Sequence, residues 1–395
     1  MDQPSPPDLQ TAQRLILEQT SALPAQAIPL EESLYRPPSH SLPALLPSPS
    51  FNHSTRDGFV LSASPDSQGK YRIAGEIPAG DICKNHLAKG EAWRIMTGAQ
   101  LPTGGVKVIP QEQCTVEGDI LLISSKGLLA KDSFIRKQGS NIAQGKVVVP
   151  AGTPIQPEHQ ALLAGVGYTE VPVHLRPRVS FFCTGNELVG PTAKKLSGQK
   201  VSENRFLLNS LTQLSGAIPT DRGLVGDNKN ELHRVFATLD PDQTDVIIST
   251  GGMGPGKYDL LEDAFIEAGG QVIYNALKMR PGKATLFGTL HRSLFFGLPG
   301  PPPAVHLLFH ELVRPALLAL QGIKRCLPEI VKVRLTKPVA CPEQKILCLK
   351  SGTFQINNGT CTARLAKKSE ATSCYLVCPA HRRHNSKQVN GFRPI

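Results

Sequence analysis

A chain of 395 residues with 40% hydrophobic and 19% charged residues is too long for one ordinary core and too apolar to be disordered, so several globular domains are expected. Met1 to Pro7 lacks the basic and apolar regions of a secretory signal, and no run of about twenty uninterrupted apolar residues follows, so the expectation is a soluble, cytoplasmic protein with no membrane partner. Net charge is +11, and the segment from Lys324 onward alone carries 14 Lys and Arg against 3 Asp and Glu; such a patch serves nucleic acid, lipid or a small anion, or is a solvated face, and without interleaved aromatics nucleic acid is not the expected partner.

In chain order, Asp8 can cap a helix whose apolar residues Leu9, Ala12, Leu15 and Ile16 keep helical spacing up to about Leu23-Pro24. The Pro-rich run from Pro37 to Pro49 reads as an extended connection. From Tyr71 to about Pro150, Gly and Pro alternate with short β-prone segments such as Val106–Ile109, Ile120–Ile123 and Val147–Val149, which predicts a β-rich module. A short helix over Pro157–Gly165 then leads into a strand over Glu170–His174. At Arg176-Pro177-Arg178 the texture changes. Apolar runs Val179–Cys183, Val246–Thr250 and Leu294–Leu298 alternate with helical stretches Glu203–Leu214, Glu231–Leu239, Leu260–Ala268 and Ala304–Leu320. This βα alternation predicts a mostly parallel, doubly wound sheet. Short strands return at Ile330–Leu335, Lys345–Lys350 and Ser373–Cys378, giving a small C-terminal β-domain. Nine Cys without a secretory context, six of them at or beyond Cys326, read as reduced thiols.

Three strands of the α/β part end in tight, Gly-containing turns: Thr184-Gly185-Asn186-Glu187, Gly251-Gly252-Met253-Gly254-Pro255-Gly256 and Leu298-Pro299-Gly300. Open parallel sheets bind ligands beyond the carboxyl ends of their strands, and glycine lets backbone N–H groups approach a phosphate, so the three turns together outline one site. Each alone is more often just a loop. Neither a Walker pattern nor a well-formed dinucleotide fingerprint is present. Glu187, Asp227 and Asp259 flank the turns; carboxylates beside a phosphate make sense when Mg²⁺ bridges the two, although Asp259 could equally cap the helix that follows it. Lys278, Arg280 and Lys283 in Lys-Met-Arg-Pro-Gly-Lys suit an oxyanion, with plain surface charge as the alternative. Cys374, Cys378, His381 and His384 match no common zinc spacing and are read as core, as is Cys183.

At these motifs the sequence resembles the molybdopterin molybdenumtransferase family, which includes MoeA and the gephyrin E domain. The segments are FNHSTRDGFV at 51–60, EIPAG at 76–80, RIMTGAQLPTG at 94–104, RPRVSFFCTGNELV at 176–189, STGGMGPGKYD at 249–259, KMRPGK at 278–283 and Leu298 to Gly300. The resemblance implies a multidomain α/β plus β protein with four parts. These are a discontinuous elongated domain (1–46 and 140–177), an inserted β-rich module (47–139), a doubly wound α/β pterin-binding domain (178–323) and a C-terminal β-domain (324–395). It implies an elongated homodimer with the cleft between subunits, and other molybdenum-cofactor pathway proteins as partners. The implied reaction takes adenylated molybdopterin and molybdate as substrates: a divalent metal, Mg²⁺, promotes cleavage of the pyrophosphate link, AMP leaves, and the dithiolene sulfurs take up molybdenum. Carried over by motif, Asp57, Thr97, Glu187, Asp227 and Asp259 act catalytically, with Glu187, Asp227 and Asp259 on the metal. Thr184, Gly185, Gly251, Gly252, Lys278, Arg280, Lys283, Pro299 and Gly300 would hold the pterin substrate.

The chain departs from the family pattern at several motifs. Gly139-Ser140-Asn141-Ile142 lacks a usual carboxylate, Val106 replaces an Asp, Gly254-Pro255 replaces Ser-Val, Pro301 replaces an Asn, and Ser202-Glu203-Asn204 stands for Asp-Ser-Asn. A non-catalytic pterin-binding or scaffolding paralogue is therefore the alternative to an active transferase. An adenylyltransferase acting one step earlier would not need the Asp57 module.

Overall fold

The computed structural model describes residues 5–67, 70–81, 86–125, 127, 131–253, 260–329, 331–335, 347–357, 360–367, 370–378 and 388–394. The first helix, Leu9–Glu18, starts where Asp8 accepts a hydrogen bond from the Thr11 N–H at 2.8 Å, and it stops well before Leu23. Leu9, Ala12 and Ile16 are buried against Leu312, Ala316 and Leu317, so this helix completes a layer of the α/β domain. Gln13 fixes its pitch by donating to the Glu311 carbonyl at 2.9 Å and to Oε2 of Glu311 at 3.2 Å.

Two distant stretches then knit together. Ala25–Pro29 pairs antiparallel with Glu170–His174, Leu42–Pro43 with Val147–Val149, and His53–Ser54 with Ile135–Arg136. The helix Pro157–Gly165 packs beside Val147–Val149 and the turn Leu30–Glu32, with Pro at its first turn where no N–H is needed. Ile28, Leu42, Val149, Ile155, Leu163, Val171 and Val173 form the core of this slender part. Between its two halves lies a six-stranded sheet in the order Lys107–Pro110, Gly58–Leu61, Glu91–Ile95, Tyr71–Ile77, Ile120–Ile123, Cys114–Glu117. Strand alternation sends Val60, Ile95 and Val108 into one cluster and Phe59, Leu61, Ile109 and Leu121 into another, so both faces of this sheet are covered.

The α/β domain holds a sheet in the order Ile218–Val225, Arg178–Thr184, Val246–Thr250, Ser293–Leu298, Leu286–Leu290, Gln271–Tyr274. The first four strands are parallel and the last two antiparallel. Neighbouring apolar residues point to opposite faces: Phe181, Ile248 and Phe296 pack under Glu203–Leu214 and the C-terminal helices, whereas Phe182, Ile247 and Phe295 pack under Lys229–Ala237 and Leu261–Glu267. Continuous apolar runs in a parallel sheet report this burial on both faces, with each Phe contributing roughly 1.5–3 kcal/mol. The strand Ile218–Val225 is not among those the sequence pattern predicts; its burial is mostly partial and its residues include Thr220, Asp221 and Arg222.

The helical segment Pro302–Leu320 has the length and apolar composition of a membrane span, yet 72% of it is buried, as a core helix is. It is interrupted by a π-helical turn, Phe309–Val313. Beyond it, Val331–Leu335, Leu347–Asn357, Thr360–Leu365, Cys374–Cys378 and Gln388–Pro394 form a sheet. A second pairing, of Leu347–Asn357 with Cys374–Cys378, closes the five strands into a ring. Cys374 is fully buried, as the core reading expects; the side chain of Cys378 and residues His381 and His384 lie outside the described parts. Met279–Arg280 of the α/β domain adds to this sheet beside Leu347 and Cys348.

Candidate functional site

The strands ending at Cys183-Thr184, Thr250 and Leu298 are in register, Cys183 opposite Thr250 and Thr250 opposite Leu298. Their three Gly-containing turns therefore emerge side by side and line one cleft of about 900 Å³. Thr184, Gly185, Glu187, Asp227, Gly251, Gly252, Pro299 and Gly300 all line it. That is the convergence the turns predict.

The backbone there requires glycine. Gly251 has φ +91°, and a Cβ at that position would lie 2.4 Å from the Thr184 carbonyl oxygen and 2.8 Å from its hydroxyl. Gly185 has φ +152°, and a Cβ there would meet Glu187 Oε2 at 2.7 Å. Among the described residues, the amides of Gly252 and Gly300 donate to no protein group, so they are available to an anionic ligand.

Asp227 and the first turn are locked together reciprocally: the Asn186 N–H donates to Asp227 Oδ2 at 3.2 Å, and the Asp227 N–H donates to Asn186 Oδ1 at 3.0 Å. This holds Asp227 on the same cleft as the exposed Glu187. Two carboxylates are a hard-oxygen donor set that fits a divalent cation whose remaining ligands are waters and substrate phosphates. Asp259, with Gly254 to Tyr258, lies outside the described residues.

Asn204 is a site residue that sequence reasoning missed, although it sits in the Ser202-Glu203-Asn204 segment. It is 8% exposed, and its Nδ2 donates to the Gly300 carbonyl at 2.8 Å and to Thr250 Oγ1 at 3.3 Å, stapling two of the three turns. Its Oδ1 is buried without a partner among the described residues, at the start of helix Glu203–Leu214, where Ser202 and Asn204 both line the cleft. The helix start on the other wall is different. Pro301, Pro302 and Pro303 have no N–H, and Ala304 and Val305 both donate to the Pro301 carbonyl, so this helix end presents no free donor.

Among the described residues, the cations on the cleft are Lys195 and Lys200, from the run Pro191 to Lys200. Their only sequence signal was a pair of lysines soon after the first turn. Lys278, Arg280 and Lys283 are exposed and do not line it. Lys278 instead faces the N-terminal segment, its Nζ 3.4 Å from Ser5 Oγ and its N–H donating to the Pro7 carbonyl at 2.9 Å. Arg280 lies in the strand that joins the C-terminal sheet, and Lys283 accepts from the Leu277 N–H through its carbonyl.

Asp57 and Thr97 meet within the inserted module: Asp57 Oδ1 accepts from both the N–H and the hydroxyl of Thr97, each at 2.7 Å. These bonds hold the Asp57 carboxyl below its usual value. Both residues are exposed and neither lines the cleft of the same chain. Cys183 is fully buried beneath the first turn, where burial pushes its thiol up and makes it a packing group.

Known proteins share this architecture. Residues 8–167 match the family described as the MoeA N-terminal region, domains I and II, and residues 180–319 match the probable molybdopterin binding domain. A molybdopterin molybdenumtransferase of Haemophilus influenzae is 34% identical over 278 residues, covering 70% of this chain and 68% of the relative. One from Staphylococcus aureus is 30% identical over 340 residues, covering 84% and 80%. The crystal structure of a molybdopterin biosynthesis MoeA protein from Pyrococcus horikosii superposes with a TM-score of 0.85 at 24% identity, over 98% of both chains.

Proposed function

The chain belongs to the molybdopterin molybdenumtransferase family, a transferase of molybdenum cofactor biosynthesis, and from that premise we propose that its α/β cleft takes adenylated molybdopterin and molybdate and releases AMP. The observation that carries this reading is the convergence of Thr184-Gly185, Gly251-Gly252 and Pro299-Gly300 on one cleft with Glu187 and Asp227 at its wall. The phosphates lie against the free amides of Gly252 and Gly300 and the side chains of Lys195 and Lys200. Glu187 and Asp227, with Asp259, would hold a divalent cation, Mg²⁺ in our reading, and such a cation would neutralise charge on the pyrophosphate link. The chain's own part is positional. The Asn204 staple sets the distance between the second and third turns, and the Asn186–Asp227 pair sets the first against the strand Ile218–Val225.

Asp57 and Thr97, away from this cleft in their own chain, fit an elongated homodimer in which the inserted module of one chain faces the cleft of the other. Lys278, Arg280 and Lys283 do not line this cleft in their own chain, and in this reading Lys195 and Lys200 hold the anion instead. The protein works in the cytoplasm alongside other proteins of the same pathway.

The test mixes purified protein with adenylated molybdopterin, Mg²⁺ and molybdate and measures AMP. Wild type is expected to release AMP, and Glu187→Gln or Asp227→Asn to lose roughly 10²-fold or more in rate. Tight pterin binding with no AMP release by wild type would refute the transfer reading.

A further inference from the structure

A second cleft, of about 770 Å³, opens at the other end of the α/β sheet, where Arg178, Ile218 and Leu294 stand at or near the starts of their strands. Four arginines line it, Arg36, Arg176, Arg178 and Arg292, against one carboxylate, Asp245. Two of the four are neutralised. Arg178 forms a fork with Asp245, Nε to Oδ2 at 3.0 Å and Nη2 to Oδ1 at 2.9 Å, and Arg292 pairs with Asp242 at 2.8 Å.

Arg36 and Arg176 have no carboxylate partner among the described residues. Arg36 is only 7% exposed; its Nη2 donates to the His174 carbonyl at 2.5 Å, and its Nε is buried with no partner among the described residues. Burial first, and then the positive charge of Arg176, draw the Arg36 guanidinium below its usual value. A buried cation beside a like charge is costly unless an anion completes it. Guanidinium forks match phosphate oxygens better than chloride.

We propose that this cleft binds a small phosphate-class oxyanion between Arg36 and Arg176. The site is remote from the first cleft, being at the opposite ends of the same parallel strands. Arg36 belongs to the elongated part, and Arg176 to the Arg176-Pro177-Arg178 connection into the α/β domain. A bound oxyanion therefore ties the two parts together at the point where the chain crosses between them, and its occupancy stiffens that junction.

The test is isothermal titration and thermal melting of the full chain with inorganic phosphate at fixed ionic strength. Parallel arms with AMP distinguish a free ion from a phosphate carried on a nucleotide. Phosphate is expected to bind saturably and raise the melting temperature. Arg176→Glu, an exposed position, is expected to weaken this binding at least tenfold, and Arg36→Gln to do the same through the buried partner. A Lys195→Gln/Lys200→Gln variant, altered only in the first cleft, retains it. Absence of saturable phosphate binding by wild type would overturn the proposal. So would loss of all binding in the lysine variant with none in Arg176→Glu.

Discussion

Replacing Asn204 tests whether the strand-end turns are held in a single geometry by one side chain. Its Nδ2 supplies two bonds, to the Gly300 carbonyl at 2.8 Å and to Thr250 Oγ1 at 3.3 Å, while its Oδ1 is already unsatisfied. Asn204→Ala removes both bonds, worth about 1 kcal/mol each, and strands a carbonyl, but it also removes the orphaned acceptor, so a net loss of about 1–3 kcal/mol is expected. Asn204→Asp keeps the shape but puts a carboxylate oxygen against the Gly300 carbonyl in a site only 8% exposed, and costs more than Ala. Trp fluorescence is the wrong probe, because the single Trp, Trp93, lies in the inserted module. Hydrogen exchange at Thr250 to Met253, with KM for the pterin substrate, reads the cleft directly. Faster exchange and a raised KM in both variants, larger for Asn204→Asp, are expected. If the Asn204→Asp variant proves as stable and as tight-binding as wild type, the staple argument is wrong.

The other expected outcomes concern separate parts of the molecule. Gly251→Ala combines left-handed strain with a Cβ 2.4 Å from a carbonyl oxygen, whereas Gly269→Ala, at φ +93°, has nothing within 4 Å. Thermal denaturation should show roughly 1 kcal/mol for Gly269→Ala and clearly more for Gly251→Ala; equal costs would contradict the close-approach account. Asp57→Asn is expected to melt with wild type yet lose at least ~10-fold in AMP release; mixed with Glu187→Gln it should recover about a quarter of wild-type activity if clefts are shared across a two-fold dimer. No recovery on mixing would place Asp57 outside the partner's cleft. His306 and His310 are held below the usual imidazole value by burial, His310 to about 3 with lesser contributions from the charges of His306 and Arg314. Above about pH 6.5 both are neutral folded or unfolded and contribute nothing. Below that, down to about pH 3 for His310, the unfolded chain binds protons that the folded one refuses, so stability falls on acidification by up to about 1.4 kcal/mol per pH unit for His310, and His306 acts in the same direction. Melting curves from pH 7.5 to 5 check this, and His310→Gln should flatten the slope; an unchanged slope would count against it.

Where burial is two-sided or capping is local, the sequence carried the fold plainly. Helices Pro157–Gly165 and Glu203–Leu214 and strands Glu170–His174 and Val246–Thr250 lie where periodicity and turn residues put them. Ile218–Val225 was hidden because an edge strand with Thr220, Asp221 and Arg222 has no continuous apolar run to announce it. The first two Gly turns were legible because a positive φ at Gly185, Gly251 and Gly252 leaves glycine as the residue of choice. Lys195 and Lys200 were not, since a lysine's reach into a cleft depends on a fold-back, here the short parallel pairing of Leu188–Val189 with Lys200–Val201. Lys278 and Arg280 looked the stronger candidates because three cations sat in six residues. Sequence proximity could not reveal that Arg280 is committed to a strand of the C-terminal sheet.

The proline run at the third turn then decides how the cleft can hold phosphate. A helix start ordinarily offers up to four unpaired N–H groups and a favourable dipole. In Pro301-Pro302-Pro303 the dipole survives but the donors do not, because the ring nitrogens carry no hydrogen and the next two amides are spent on the Pro301 carbonyl. The Gly300 amide is the last donor on that wall. The other polar groups lining the cleft are Ser202 and Asn204 at the start of helix Glu203–Leu214 and the two lysines. Two departures from the family pattern, at Pro301 and at Ser202-Glu203-Asn204, thus meet in one cleft, where Asn204 Nδ2 donates to the Gly300 carbonyl beside Pro301. The first removes backbone donors from the third turn, while Asn204, the position that both patterns share, ties that turn to Thr250.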